Sequence, residues 1–180
     1  MSTVSLRVDG RRVQVEAGEI DVLAQRGVHV SHQPLSNCEV GGGFAPLPEM
    51  LAAGINVALG TDGPGSQNSQ DMLESLKVAA LLAKVSTCDA NAVLPLDVLR
   101  MATVDGARLL GRDDLGRIVP GARADLTLVD LNNARSMPIH RPESALVYNA
   151  VGPDVQFDVR HDGQLDVRHD GRLDVRHDGR

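Results

Sequence analysis

Apolar and polar positions alternate through the first segment of the chain: Val4, Leu6 and Val8, then Asp9-Gly10, then Val13 and Val15. Alternation on both sides of Asp-Gly predicts a β-hairpin. Glu19 to Arg26 reads as a short helix, with Gly27 suited to its C′ position. Val28-His29-Val30 reads as a short buried strand. Residues 33–47 are polar and Gly-rich, and so predict a loop of a length that is often functional. Pro48 fits the first turn of a helix that Gly54 ends. The run Ile55-Asn56-Val57-Ala58-Leu59-Gly60 is mostly apolar, as in a strand buried on both faces. Asn68 or Ser69 can cap the next helix, with Asp71 in its first turn and Lys84 near its end. Its apolar stripe is Met72, Leu73, Leu76, Ala80 and Ala83. One more helix runs from Pro95 to about Gly111 through Leu96, Leu99, Met101, Ala102 and Leu109.

Strands that alternate with helices predict an α/β domain with a parallel sheet or barrel. The character changes near residues 116–122, after which Leu126-Thr127-Leu128-Val129 reads as a strand and later segments read as β structure with turns. The chain then repeats. Residues 156–163 are QFDVRHDG, 164–171 are QLDVRHDG and 172–179 are RLDVRHDG. Eight-residue units are too short for most solenoids, so the tail reads as tandem duplication of one strand-turn unit. The expected divisions are an N-terminal hairpin at 1–18, an α/β part at 19–115, a β segment at 116–155 and the repeat tail at 156–180.

Composition narrows the function classes. The 180 residues are 42% hydrophobic but only 2% aromatic, with no Trp. The core must therefore be built from aliphatic side chains. A formal net charge of −6 with one Tyr and two Phe gives neither the basic stripe nor the stacking platform of a nucleic-acid binder. Cys38 and Cys88 are far apart, which argues against a disulfide framework and a Cys-type zinc site. The N-terminus has no apolar signal segment, and no apolar run approaches a membrane span. The expectation is a soluble, cytoplasmic protein without nucleic-acid or membrane partners.

The sharpest local chemistry is Gly60-Thr61-Asp62-Gly63, at the end of the expected buried parallel strand. In α/β folds the carboxyl ends of strands line the site. A carboxylate there can bind a metal or act as a general base, and it can equally be an Asp in a turn flanked by Gly for backbone reasons. His32 stands at the corresponding end of the preceding strand, three residues after His29. On a strand the two face opposite ways, so only one can point into a site. His161, His169 and His177 recur with the repeat, which places any residue in a ladder. Gly41-Gly42-Gly43 is not followed by Lys-Ser/Thr, and there is no GxSxG, so neither a P-loop nor a nucleophile elbow is supported.

The stretches GVHVSHQPLSN and FAPLPEMLAAGINVALGTDGPGSQNSQDMLESLKVAALLAK resemble the last two barrel strands of the amidohydrolase superfamily. The likeness is strongest to the 5-methylthioadenosine/S-adenosylhomocysteine deaminase and triazine chlorohydrolase branch. VLRMATVDGARLLGRDDLGRIVPGARADLTLVDL resembles that family's closing helix and its return to a small β-sandwich. The resemblance covers about residues 19–155. It implies a partial (β/α)8, TIM-type barrel, of which this chain carries the last two strands, beside part of a composite β-sandwich. It also implies Zn²⁺, or a similar divalent ion, that activates water against a C–N or C–Cl bond of a small heterocyclic substrate. By the same resemblance Asp62 is a metal ligand and a catalytic proton shuttle. His32, Ser36 and Asn37 match an HxPxSN motif beside the site and are substrate-adjacent candidates. Gly121, Ala124 and Asp125 match a structural PGxxAD turn.

The resemblance also implies an HxH pair on the first strand and His residues on two later strands. This chain has no HxH and no His before residue 29. A catalytic zinc needs about three protein ligands plus water. Residues 1–18 look more like the opening hairpin of the sandwich than like a sixth barrel strand. Gln33 sits where relatives often carry Cys or Asn. Three readings follow: a fragment or degenerate copy of an aminohydrolase that is inactive alone, half of a site completed by another chain, or a non-enzymatic binding or assembly module. Incomplete strand edges favour self-association or a complementing chain.

Overall fold

The computed structural model describes residues 4–8, 11–15, 19–160, 165–169 and 172–175, with side chains from 19 to 160. Strands β1 (Val4–Val8) and β2 (Arg11–Val15) form the antiparallel hairpin expected from the alternation, with Val4 opposite Val15 and Leu6 opposite Val13. Its turn residues Asp9 and Gly10 lie outside the described residues. Helix α1 (Glu19–Gln25) ends at Gly27, whose φ of 63° is the left-handed value a helix C-terminus favours.

Two short strands follow, β3 (Val30–His32) and β4 (Val57–Leu59). They pair in parallel, with Val30 opposite Val57 and His32 opposite Leu59. β1 lies against β3, and the hairpin shares no sheet with the C-terminal strands. Between β3 and β4 run two short helices, α2 (Pro34–Glu39) and α3 (Leu47–Ala52). The first stands inside the segment expected to be loop. Pro34 occupies its first turn, where a missing N–H costs nothing.

Helix α4 (Met72–Thr87) is the longest. Asp71 is its N-cap in place of the expected Asn68 or Ser69, and Oδ1 of Asp71 accepts from the Leu73 N–H at 2.8 Å. Oδ2 of the same carboxylate accepts from the Gly152 N–H at 2.9 Å, which ties the helix start to a turn 81 residues downstream. The single helix expected from Pro95 to Gly111 is two, α5 (Pro95–Ala102) and α6 (Val104–Leu109). The break is at Thr103, whose φ and ψ are −126° and −93°. Its hydroxyl donates back to the Leu99 carbonyl at 2.7 Å, a local bond that competes with helix continuation. Gly116 packs on this corner. A Cβ there would stand 2.6 Å from the Thr103 carbonyl oxygen, so only glycine fits.

The core joins one face of β3 and β4 to the helices. Val30, Val57 and Leu59 meet Leu76, Ala79, Ala80 and Ala83 of α4, and Val98 and Met101 of α5. The alanines let α4 approach closely, and Leu47 and Met50 close the α3 side. Each large aliphatic side chain so buried stabilises the fold by about 1.5–3 kcal/mol.

After residue 116 the chain forms β5 (Leu126–Val129), helix α7 (Pro142–Tyr148) and β6 (Val155–Val159). The helix interrupts the segment expected to be β. It joins α4 through Lys84, whose Nζ donates to the Tyr148 hydroxyl at 2.6 Å. β5 and β6 continue into β7 (Leu165–His169) and β8 (Arg172–Val175) as one antiparallel sheet in the order β5-β6-β7-β8. The repeat units thus supply neighbouring strands of one sheet. His161 and His177 lie outside the described residues.

Candidate functional site

The site candidates gather at the carboxyl ends of β3 and β4. Side chains alternate across a strand. Val30, Val57 and Leu59 face the core, so His32, which pairs with Leu59, shares their side. His32 is 5% exposed, and burial pushes its pKa down to about 4. At neutral pH it is an uncharged ring in the packed layer, with its backbone carbonyl accepting from the Gly60 N–H at 2.9 Å.

The opposite side carries different chemistry. Gln33 Nε2 donates to Ser31 Oγ at 2.8 Å. A Cβ at Gly60 would lie 3.2 Å from that same Nε2 and 3.6 Å from Ser31 Oγ. Gly60 therefore leaves room for a carboxamide that lies across β4. Ser31 and Gln33 are both half-buried.

Asp62 follows two residues after Gly60 and is half-buried. Its φ is 65°, uncommon for any residue but glycine. Oδ1 accepts from the Gly63 N–H at 2.8 Å, and Oδ2 accepts from the Ser36 hydroxyl at 2.9 Å. The Asp62 backbone carbonyl accepts from Gln70 Nε2 at 3.0 Å and from the Thr61 hydroxyl at 3.3 Å. Ser36 is 5% exposed on α2.

Of the sequence candidates, the fold brings Asp62 and Ser36 together. Asn37 turns elsewhere: its carbonyl accepts from the Gly42 N–H at 2.7 Å, and its carboxamide oxygen lies beside Gly42. His32 lies on the core side of the sheet. Gln70 touches Asp62 without any signal in the sequence, because it belongs to the loop before α4. Among the described residues no group of three or more His, Cys, Asp or Glu could hold a metal ion. The donor set is one carboxylate, which does not make a zinc centre. No helix among the described residues is long and apolar enough to cross a membrane.

The family model described as "Amidohydrolase family" matches residues 4–161. The chain belongs to the amidohydrolase family.

Within that family it is 46% identical over 144 residues to a 5'-deoxyadenosine deaminase of Methanopyrus kandleri, covering 80% of this chain and 33% of that protein. It is also 46% identical over 144 residues to a 5-methylthioadenosine/S-adenosylhomocysteine deaminase of Moorella thermoacetica, covering 79% of this chain and 34% of that one. A solved adenosine deaminase from Xanthomonas campestris with bound zinc superposes with a TM-score of 0.79 at 38% identity, covering 88% of this chain and 34% of its own. The zinc complex of an atrazine chlorohydrolase from Arthrobacter aurescens gives 0.80 at 31% identity, covering 86% and 34%. This amidohydrolase chain therefore spans about a third of the length of the relatives it matches.

Proposed function

We propose that this chain is a partial copy of a metal-dependent aminohydrolase acting on a purine-like heterocycle, and that it does not catalyse the reaction alone. The observation that carries the reading is the state of the site. Asp62 stands at the carboxyl end of β4, as the family's last-strand carboxylate does, while the other expected ligands lack counterparts among the described residues. The parallel pair β3-β4 with its helices serves as the last two strands of a (β/α)8 barrel. The β5–β8 sheet serves as the return to a β-sandwich. The divisions at 1–18, 19–115, 116–155 and 156–180 mark segments of this plan, the last two sharing the β5–β8 sheet.

In this reading Asp62 is the reactive carboxylate and Ser36 its neighbour. The zinc of the related structures would need ligands beyond those the described residues bring together. Names of the relatives support an adenosine-like substrate with an exocyclic amine.

A second reading has one observation in its favour. The side of β3-β4 opposite Val30, Val57 and Leu59 presents half-buried Ser31, Gln33 and Gly60 around the buried Ala58. That surface suits a complementing chain that carries the missing strands. The test is ammonia release from 5'-deoxyadenosine by the purified chain with Zn²⁺ present. No release above the buffer rate is the expected result. Turnover by the purified chain alone would overturn the first reading, whereas the second predicts release only after a chain carrying the missing strands is added, and its loss in Asp62→Ala.

A further inference from the structure

We infer that Ser36 and Gln70 are positioning residues that hold Asp62 in a left-handed backbone conformation, with its carboxylate already oriented. The inference rests on the proposed role of Asp62 as the reactive carboxylate.

The φ of Asp62 is 65°. A left-handed backbone disfavours a residue with a Cβ, and Asp tolerates it better than most because its side chain bonds locally. Such a conformation persists where the surroundings fix it, and fixed outliers cluster at functional sites. An Asp-Gly turn by itself accounts for only one of the bonds seen here, from the Gly63 N–H to Oδ1 at 2.8 Å. The Thr61 hydroxyl bond to the Asp62 carbonyl at 3.3 Å is also between chain neighbours, and two further bonds come from other segments. Ser36 reaches Oδ2 at 2.9 Å from helix α2, 26 positions away in sequence. Gln70 reaches the Asp62 carbonyl at 3.0 Å from the loop before α4.

The two donors differ in a useful way. Ser36 is buried, and its own carbonyl accepts from the Val40 N–H at 3.0 Å, so the hydroxyl sits on a fixed helix. Gln70 is exposed and itself left-handed, with φ of 48°. An exposed glutamine in that conformation has no packing role to explain it. Its bond to the Asp62 carbonyl fixes the peptide plane, and the Ser36 bond fixes the carboxylate. A charge-assisted hydrogen bond of this kind is about twice as strong as a neutral one. The two together fix the side chain and the backbone of one residue.

The experiment is solution NMR on the ¹³C,¹⁵N-labelled full chain, with no metal added. The Asp62 carboxyl-carbon resonance is identified by its loss in Asp62→Asn. In Ser36→Ala that resonance moves more than that of any other carboxylate, and Ser36→Thr returns it. In Gln70→Ala the φ-dependent coupling between the Asp62 amide and α protons changes. An Asp62 carboxyl resonance that stays in place in folded Ser36→Ala overturns the inference. So does one that moves as far in Ser36→Thr as in Ser36→Ala. If Ser36→Ala does not fold, the exposed Gln70→Ala variant decides, and an unchanged coupling overturns the inference. Failure of the aminohydrolase reading would leave these shifts as expected, so the two failures are told apart.

Discussion

The Ser36 hydroxyl donates to Oδ2 of Asp62 at 2.9 Å, joining the helix after β3 to the loop after β4. The bond makes the carboxyl ends of the two parallel strands one unit. A hydrogen bond to a charged group contributes about 1.5–3 kcal/mol where it is buried, and less where water reaches it. A double-mutant cycle of Ser36→Ala and Asp62→Asn in urea should therefore give a coupling of about 1 kcal/mol. Additive effects would mean that the two groups do not interact in solution.

Backbone strain at residue 62 makes a separate prediction. Asp62→Ala and Asp62→Gly both remove the carboxylate and its bonds. Only glycine accepts a φ of 65° without a Cβ clash. Asp62→Gly should be the more stable variant by about 1 kcal/mol in denaturant titration. Equal stabilities would place residue 62 in an ordinary conformation.

Burial of His32 gives the fold a pH dependence. Its folded pKa of about 4 lies below the usual 6.5, so the unfolded chain takes up the proton first. Stability is then unaffected by His32 above about pH 6.5, falls as pH drops, and levels off below about pH 4. The full loss is about 3 kcal/mol, from 1.36 kcal/mol for each pKa unit. Denaturant midpoints measured from pH 7 to pH 4 should show the fall, and His32→Leu should flatten it. A wild-type slope that persists in His32→Leu would assign the effect to other groups.

The Thr103 corner is a third place to probe. Gly116 has a φ of 75°, and a Cβ would stand 2.6 Å from the Thr103 carbonyl oxygen. Backbone cannot yield as a flexible side chain would. Gly116→Ala should cost on the order of 3 kcal/mol, combining a left-handed penalty with overpacking. A thermal midpoint close to that of the unmodified chain would contradict this packing.

Much of the architecture was legible because it follows from periodicity. The alternation of Val4, Leu6, Val13 and Val15 foretold the hairpin, and the Leu76-Ala80-Ala83 stripe foretold the buried face of α4. Capping was harder to read. Asn68, Ser69 and Asp71 are all competent caps, and the tie from Asp71 to Gly152 that accompanies the true cap is a long-range contact. Helix α7 and the break at Thr103 were hidden for the same reason, since packing and a local hydroxyl bond decide them.

The site divides along similar lines. Asp62 was marked by its place after an apolar strand, and Ser36 by the motif around it. The side that His32 faces depends on where the strand begins. With a strand at residues 28–30, His32 would lie beyond it and be free to turn. The observed strand runs Val30–His32, so alternation places His32 with Val30 against the core. Gln70 could not be found from spacing, because a loop brings it back to Asp62.

We propose that Asp62 holds the place of the family's last-strand carboxylate, with no complete metal centre among the described residues. The direct test is zinc content per folded chain at neutral pH, with Zn²⁺ offered and the excess removed. Asp62→Ala is run beside it, together with a chain carrying His161→Ala, His169→Ala and His177→Ala to exclude the repeat histidines. Well below one zinc per chain, with no dependence on Asp62, is the expected result. Near-stoichiometric zinc that disappears in Asp62→Ala and survives the three histidine substitutions would contradict it.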